Sequence, residues 1–169
     1  SFTKEPVPLP LAPAWETKLG GRISAVTVAG GRLFVAKIDA HQLVALDAAS
    51  GQPLWTFTAG GRIDSPPTLW RGRAVFGSAD GWVYSLRASD GALEGRYRAA
   101  PHDLRHMAME QLESVWPVHG GALVEKDVVH LVAGRSAFLD GGIHYVRLDA
   151  RTGRRLGTLV LDDKDPEGS

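Results

Sequence analysis

Val44-Ala45-Leu46-Asp47-Ala48-Ala49-Ser50-Gly51 returns forty residues later as Tyr84-Ser85-Leu86-Arg87-Ala88-Ser89-Asp90-Gly91. Working outward, Gly21-Arg22-Ile23 returns as Gly61-Arg62-Ile63, and Pro13-Ala14-Trp15 as Pro53-Leu54-Trp55, at the same interval. A third copy, Val146-Arg147-Leu148-Asp149-Ala150-Arg151-Thr152-Gly153, follows after added length. Short β-prone runs between glycine-bearing turns, repeated with a period near forty, are the sequence mark of a β-propeller with one four-stranded blade per repeat. The fold class expected is all-β: a partial propeller of about three four-stranded antiparallel blades plus one orphan outer strand.

The repeat sets the expected boundaries. Residues 1–20 are a lead-in, proline-rich through residue 12, followed by the orphan outer strand at Trp15-Glu16-Thr17-Lys18, which aligns with Trp55-Thr56-Phe57-Thr58. Residues 21–59 and 60–98 are blades. Gly30-Gly31 and Arg71-Gly72 close their first hairpins, and Ser50-Gly51 and Asp90-Gly91 lead into their outer strands. Residues 99–113 break the period as an insertion whose composition favours a helix or an ordered loop over a strand. Residues 114–161 form a third blade, interrupted by the irregular stretch 134–142, and 162–169 are a polar tail.

Bulk properties exclude several classes. The formal net charge is +0, so no overall field draws the chain to nucleic acid. No apolar run is long enough to span a bilayer as a helix, so direct membrane insertion is not expected. Zero cysteines remove disulfides, cysteine-ligated zinc and thiol chemistry. The first repeat match begins in mid-blade, so the chain is expected to belong to a larger, exported bacterial protein of the periplasm or cell envelope. The remaining blades of that protein are its expected partners.

Ala45-Leu46-Asp47-Ala48-Ala49-Ser50-Gly51-Gln52-Pro53-Leu54-Trp55 resembles the tryptophan-docking signature of the pyrroloquinoline-quinone-like repeat family. Ala45, Asp47, Ser50, Gly51 and Trp55 stand at its defined positions. The resemblance implies a propeller in which Trp55 wedges between neighbouring blades. That family includes quinoprotein alcohol dehydrogenases and non-catalytic scaffolds similar to the outer-membrane assembly lipoprotein B. The other copies depart from the signature, with Arg87 for the aspartate, and Gly95 and Gly157 for the tryptophan. The stretches 111–120 and 133–142 resemble large planctomycete-type propeller proteins of this repeat class.

Three chemistries are open to the remaining residues. A quinone site requires a flat slot and a calcium ion held by oxygen ligands. The chain has no vicinal cysteines and no asparagine, and three blades do not enclose an axis, so no cofactor is expected, pyrroloquinoline quinone with calcium included. His102, His106 and Glu110 recur every four residues and would share one helical face, a spacing that grips a metal. The plainer alternative is a solvated face packed onto a blade by Leu104, Met107 and Leu112. Ser136, Asp140 and His144 invite comparison with a hydrolase, but no nucleophile elbow surrounds Ser136, so no catalytic residue is assigned.

Function in a propeller concentrates in loops, because the strands are packed on both faces. The expected binding surface is therefore 99–119 with 134–142, naming Arg105, His106, Trp116, His119, Arg135, Ser136 and Asp140. It suits a protein or a polar ligand. The expected function is a non-catalytic binding or scaffold segment. The alternatives are a fragment of a quinone- or metal-dependent oxidoreductase and a carbohydrate-recognition propeller.

Overall fold

Positive φ at both residues of Gly30-Gly31, Arg71-Gly72 and Lys126-Asp127 fixes three tight turns whose twist suits antiparallel strands. Around them the computed structural model, which describes residues 10–108 and 110–163, builds the sheets. The first holds β1 (Ile23–Ala29), β2 (Arg32–Lys37), β3 (Gln42–Asp47) and β4 (Pro53–Thr58). The second holds β5 (Thr68–Trp70), β6 (Arg73–Gly77), β7 (Trp82–Arg87) and β8 (Leu93–Arg98). A hairpin of β9 (Arg105–Ala108) and β10 (Gln111–Ser114) precedes the third sheet: β11 (Leu123–Glu125), β12 (Val128–Ala133), β13 (Ile143–Asp149) and β14 (Arg155–Leu161). Each four-stranded sheet is an antiparallel meander in chain order. Residues 1–9 of the lead-in and 164–169 of the tail lie outside the described residues.

Sheets stack through their central strands. Ala36, Leu43, Ile63, Ala74, Phe76, Tyr84 and Leu86 fill the seam between the first two sheets. Val83, Val118, Val129, Leu131, Val146 and Leu148 belong to the seam between the second and third. The innermost strands are tied in one repeated way. Thr27 Oγ1 donates to the Pro67 carbonyl at 2.9 Å, and Thr68 Oγ1 donates to that of Ala122. Apolar side chains remain exposed on the outer sheets, among them Ile23, Val26 and Val28 on β1 and Leu156, Leu159 and Leu161 on β14.

The docking motif works across seams. Asp47 Oδ1 accepts the Ala49 and Ser50 amides and the Ser50 hydroxyl, which holds the 47–51 turn. Trp15 lies on that turn, with Nε1 donating to the Ala48 carbonyl at 3.1 Å. Trp55 lies on the next copy, donating to Ala88 at 3.2 Å. The turn glycine is required twice over. Gly91 has φ 75°, and a Cβ there would lie 2.6 Å from Trp55 Cε3. At the third turn, where Gly95 replaces tryptophan, Tyr97 supplies the ring: a Cβ on Gly153 would overlap Tyr97 Cε1. Positions 95 and 97 share a strand face, so the aromatic has moved two residues without leaving the seam.

One expectation changes, and it lies outside the lead-in. The lead-in at Trp15–Lys18 runs with Trp15 and Thr17 half-buried and their neighbours exposed, and among the described residues it pairs with no strand. Its anchors are Trp15 and the Thr17 hydroxyl, which donates to the Gly51 carbonyl at 2.7 Å. The helix or loop expected at 99–113 is instead the β9–β10 hairpin, with Met107 opposite Leu112 and His106 opposite Glu113. Composition favours a helix only weakly, and tertiary context overrides it. Here the β10 end is held by Ser114 N donating to the Ala79 carbonyl at 2.8 Å.

Candidate functional site

In a meander, the turns after the first and third strands share one end of the sheet. The turn after the second strand and the connections between sheets share the other. All the added length falls at this second end. The two irregular stretches meet there: Trp116 Nε1 donates to the Asp140 carbonyl at 2.9 Å, and Gly134 N donates to the Pro117 carbonyl at 3.0 Å. The hairpin spans the sheets. Gln111 Oε1 is 2.6 Å from His41 Nε2 in the turn between β2 and β3, and Gln111 Nε2 donates to the Asp39 carbonyl.

Beneath the hairpin is a buried charge cluster. Glu113, only 1% exposed, receives Arg62 Nε at 2.5 Å on Oε1 and the Arg135 guanidinium at 3.0 Å on Oε2. The guanidinium of Arg62 also lies 3.5 Å from Asp64, whose other oxygen is 2.5 Å from His119 Nδ1. The Glu113 hydrogen bond holds the Arg62 pKa above its ordinary value. The His119 hydrogen bond, aided by Arg62, holds the Asp64 carboxyl below its own. Nearby, Tyr84 donates to Asp80 at 2.5 Å. Burial first, and that carboxylate second, push the phenol up to about 12.

The sequence-derived candidates separate on this frame. Arg135 braces Glu113, and Trp116 is buried, edge-on to His102 and His144. The Ser136 hydroxyl accepts the Phe138 amide at 3.1 Å. His119 pairs with Asp64, Arg105 lies at the surface beside Asp103, and Asp140 is exposed. With a hairpin in place of a helix, His102, His106 and Glu110 lose their shared helical face. His102 is in the loop before β9, His106 faces the interior opposite Glu113, and Glu110 sits in the turn with φ 61°. Among the described residues, no three His, Asp or Glu side chains converge as a metal requires. Leu104, Met107 and Leu112, expected to pack on a blade, are instead more than half exposed, as are Phe138 and Leu139. Sequence reasoning missed Arg62, Asp64 and Glu113. The available signal was the repeat itself, since Gly61-Arg62-Ile63 copies Gly21-Arg22-Ile23, yet Arg22 pairs with Asp39 at the surface.

Three stacked meanders closed by aromatic docking define a β-propeller repeat protein. A protein-family model described as outer membrane protein assembly factor BamB matches residues 12–169, and the chain belongs to that family. No curated protein matches it. Among solved structures, a europium-containing methanol dehydrogenase is 18% identical, with a TM-score of 0.69 over 87% of this chain and 26% of its own. BamB from Moraxella catarrhalis is 18% identical, with a TM-score of 0.58 over 81% of this chain and 40% of its own. The quinohemoprotein alcohol dehydrogenase from Comamonas testosteroni is 20% identical, with a TM-score of 0.66 over 83% of this chain and 21% of its own. These likenesses establish a shared fold. The chain spans less than half the length of each.

Proposed function

We propose that this chain is a non-catalytic binding segment of a larger exported propeller protein, and that the β9–β10 hairpin presents its contact surface to a protein partner. One observation carries this: the two sides of the hairpin have opposite chemistry. Glu113 on the inner side is neutralised by Arg62 and Arg135. On the outer side Met107 and Leu112 stand opposite one another, both largely exposed, with Leu104 close by in sequence. A catalytic centre needs titratable groups aimed at a substrate. Here the buried charges are spent on holding the hairpin down, and the surface offered is apolar, as protein-contact patches are.

The donor set supports a reading without quinone and calcium. The Trp82 ring is covered by Arg96 at 4.6 Å, and Trp116 is buried, so neither offers a free flat face. The family description, an outer membrane assembly factor, supports placement in the cell envelope and a scaffold role. The test is capture from envelope extracts by the full-length protein. The pair Met107→Ser and Leu112→Ser should abolish capture of a defined partner while leaving the fold intact. Quinone absorbance or calcium-dependent alcohol oxidation in the purified full-length protein would overturn the proposal in favour of an oxidoreductase.

A further inference from the structure

At the opposite, regular end of the sheets a recess of about 650 Å³ opens between the first and second sheets. Four arginines line it, Arg32, Arg71, Arg73 and Arg87, against one carboxylate, Glu94. Phe34, Leu69 and Trp70 contribute apolar wall. A smaller recess shares Trp70, Arg71 and Arg73 and adds Arg151. We propose that this seam binds a small organic oxyanion with a flat apolar body, a phosphate monoester or a carboxylate, with Arg32 as the principal partner of the anionic group. The site is independent of the hairpin surface proposed above.

The charge accounting singles out Arg32. Glu94 is shared by Arg73, at 2.6 Å, and Arg87, at 3.6 Å. Asp90 also meets Arg87, and Asp127 is shared by Arg71 and Arg151. Among the described residues no carboxylate comes within ion-pair distance of Arg32. Asp47 stands across from it between β2 and β3, beyond ion-pair distance; its Oδ1 is engaged by its own turn, and the Arg32 charge lowers the Asp47 pKa less than those hydrogen bonds do. Among the described residues, the Arg32 side chain makes one hydrogen bond, from Nη1 to the Gly30 carbonyl at 3.3 Å, and its Nε is buried without a partner. A buried guanidinium N–H without an acceptor is costly, and a planar fork of donors matches an oxyanion. The volume exceeds what a lone inorganic anion fills and lies in the range of small-molecule sites. Trp70, with Arg71 and Arg73 at 5.3 and 5.7 Å from its ring, carries positive charge beside an apolar surface.

The test follows the Trp70 indole and Arg32 Nε–H signals by NMR while the protein is titrated with phenyl phosphate, benzoate and inorganic phosphate. Phenyl phosphate or benzoate should shift both signals and bind about tenfold more tightly than inorganic phosphate. The tighter of the two identifies the anion class. Arg32→Gln, which breaks no ion pair, should weaken that binding about tenfold, the least expected for a lost hydrogen bond to a charge, with an unchanged urea midpoint. Arg22→Gln, at the other end of the first sheet, where Arg22 pairs with Asp39 at the surface, should leave it unchanged. The proposal is overturned if the parent protein shows no shift at Trp70, if inorganic phosphate binds equally well, or if Arg32→Gln binds like the parent.

Discussion

The two ends of the sheets obey different rules. At the end carrying the 47–51, 87–91 and 149–153 turns, each turn receives an aromatic ring from the preceding repeat: Trp15, Trp55 and Tyr97 in turn. At the other end the repeat is broken, and one element, the β9–β10 hairpin, is fastened by a charge cluster with no counterpart in the first sheet. Where every seam needs the same lock, the sequence repeats. Where one surface is needed once, it does not.

The sharpest way to break this contrast is Glu113→Ala. It leaves Arg62 buried with only its longer contact to Asp64 and should cost about 3 kcal/mol by urea denaturation, the low end for breaking a buried pair. Arg62→Met combined with Glu113→Leu should recover most of that loss, because removing both charges also removes their desolvation penalty. If Glu113→Ala is nearly silent, the hairpin is not held by charge.

Next is Trp55→Ala, expected to cost about 3 kcal/mol, the low end for a large aromatic since the ring is only partly buried. Trp70→Ala should cost less, because Trp70 ends a three-residue strand and caps no turn glycine. Equal urea midpoints for the two variants would contradict docking by Trp55.

Gly153→Ala sharpens the comparison at the third seam. A methyl group there collides with Tyr97 in a left-handed backbone, and about 2 kcal/mol should be lost. Tyr97→Ala combined with Gly153→Ala should show coupling, since the first substitution vacates the space the second fills. Strictly additive losses would mean that Tyr97 does not replace the missing tryptophan.

The smallest effect is a pH dependence at the broken end. Burial, then Arg155 and His102, lower the His144 pKa below its ordinary 6.5. The folded state therefore resists a proton that the unfolded chain accepts. Stability from this source is full above about pH 6.5 and declines as pH falls towards the folded value. Asp64 acts at lower pH: its depressed pKa means that stability is lost as pH falls below 3.8 through its folded value. His144→Gln should flatten the urea-midpoint profile between pH 7 and 5; an unchanged slope would remove His144 as its source.

Legibility followed the same division. The blades are readable because glycine-bearing turns such as Ser50-Gly51 and Asp90-Gly91 stand forty residues apart between matching β-prone runs. The docking role of Trp55 was readable because its motif is contiguous. Tyr97 was missed because the ring moved two positions along β8, which keeps its face but breaks the spacing. A helix or an ordered loop is the expectation at 99–113 because Ala108, Met107, Leu112 and Glu113 are good helix formers. The cross-strand pairing of Met107 with Leu112 depends on a turn that local composition does not announce. The cluster of Arg62, Glu113 and Arg135 joins residues 51 and 22 positions apart, a separation no local pattern records.

The central claim is that the hairpin's inner side holds it to the sheets and its outer side is free for a partner. Comparing urea midpoints of Glu113→Ala and of Met107→Ser with Leu112→Ser tests it directly. The account predicts a large loss for the first and less than about 0.5 kcal/mol for the second, as for surface substitutions generally. A comparable loss from both would contradict it, because Met107 and Leu112 would then be packing residues rather than a surface.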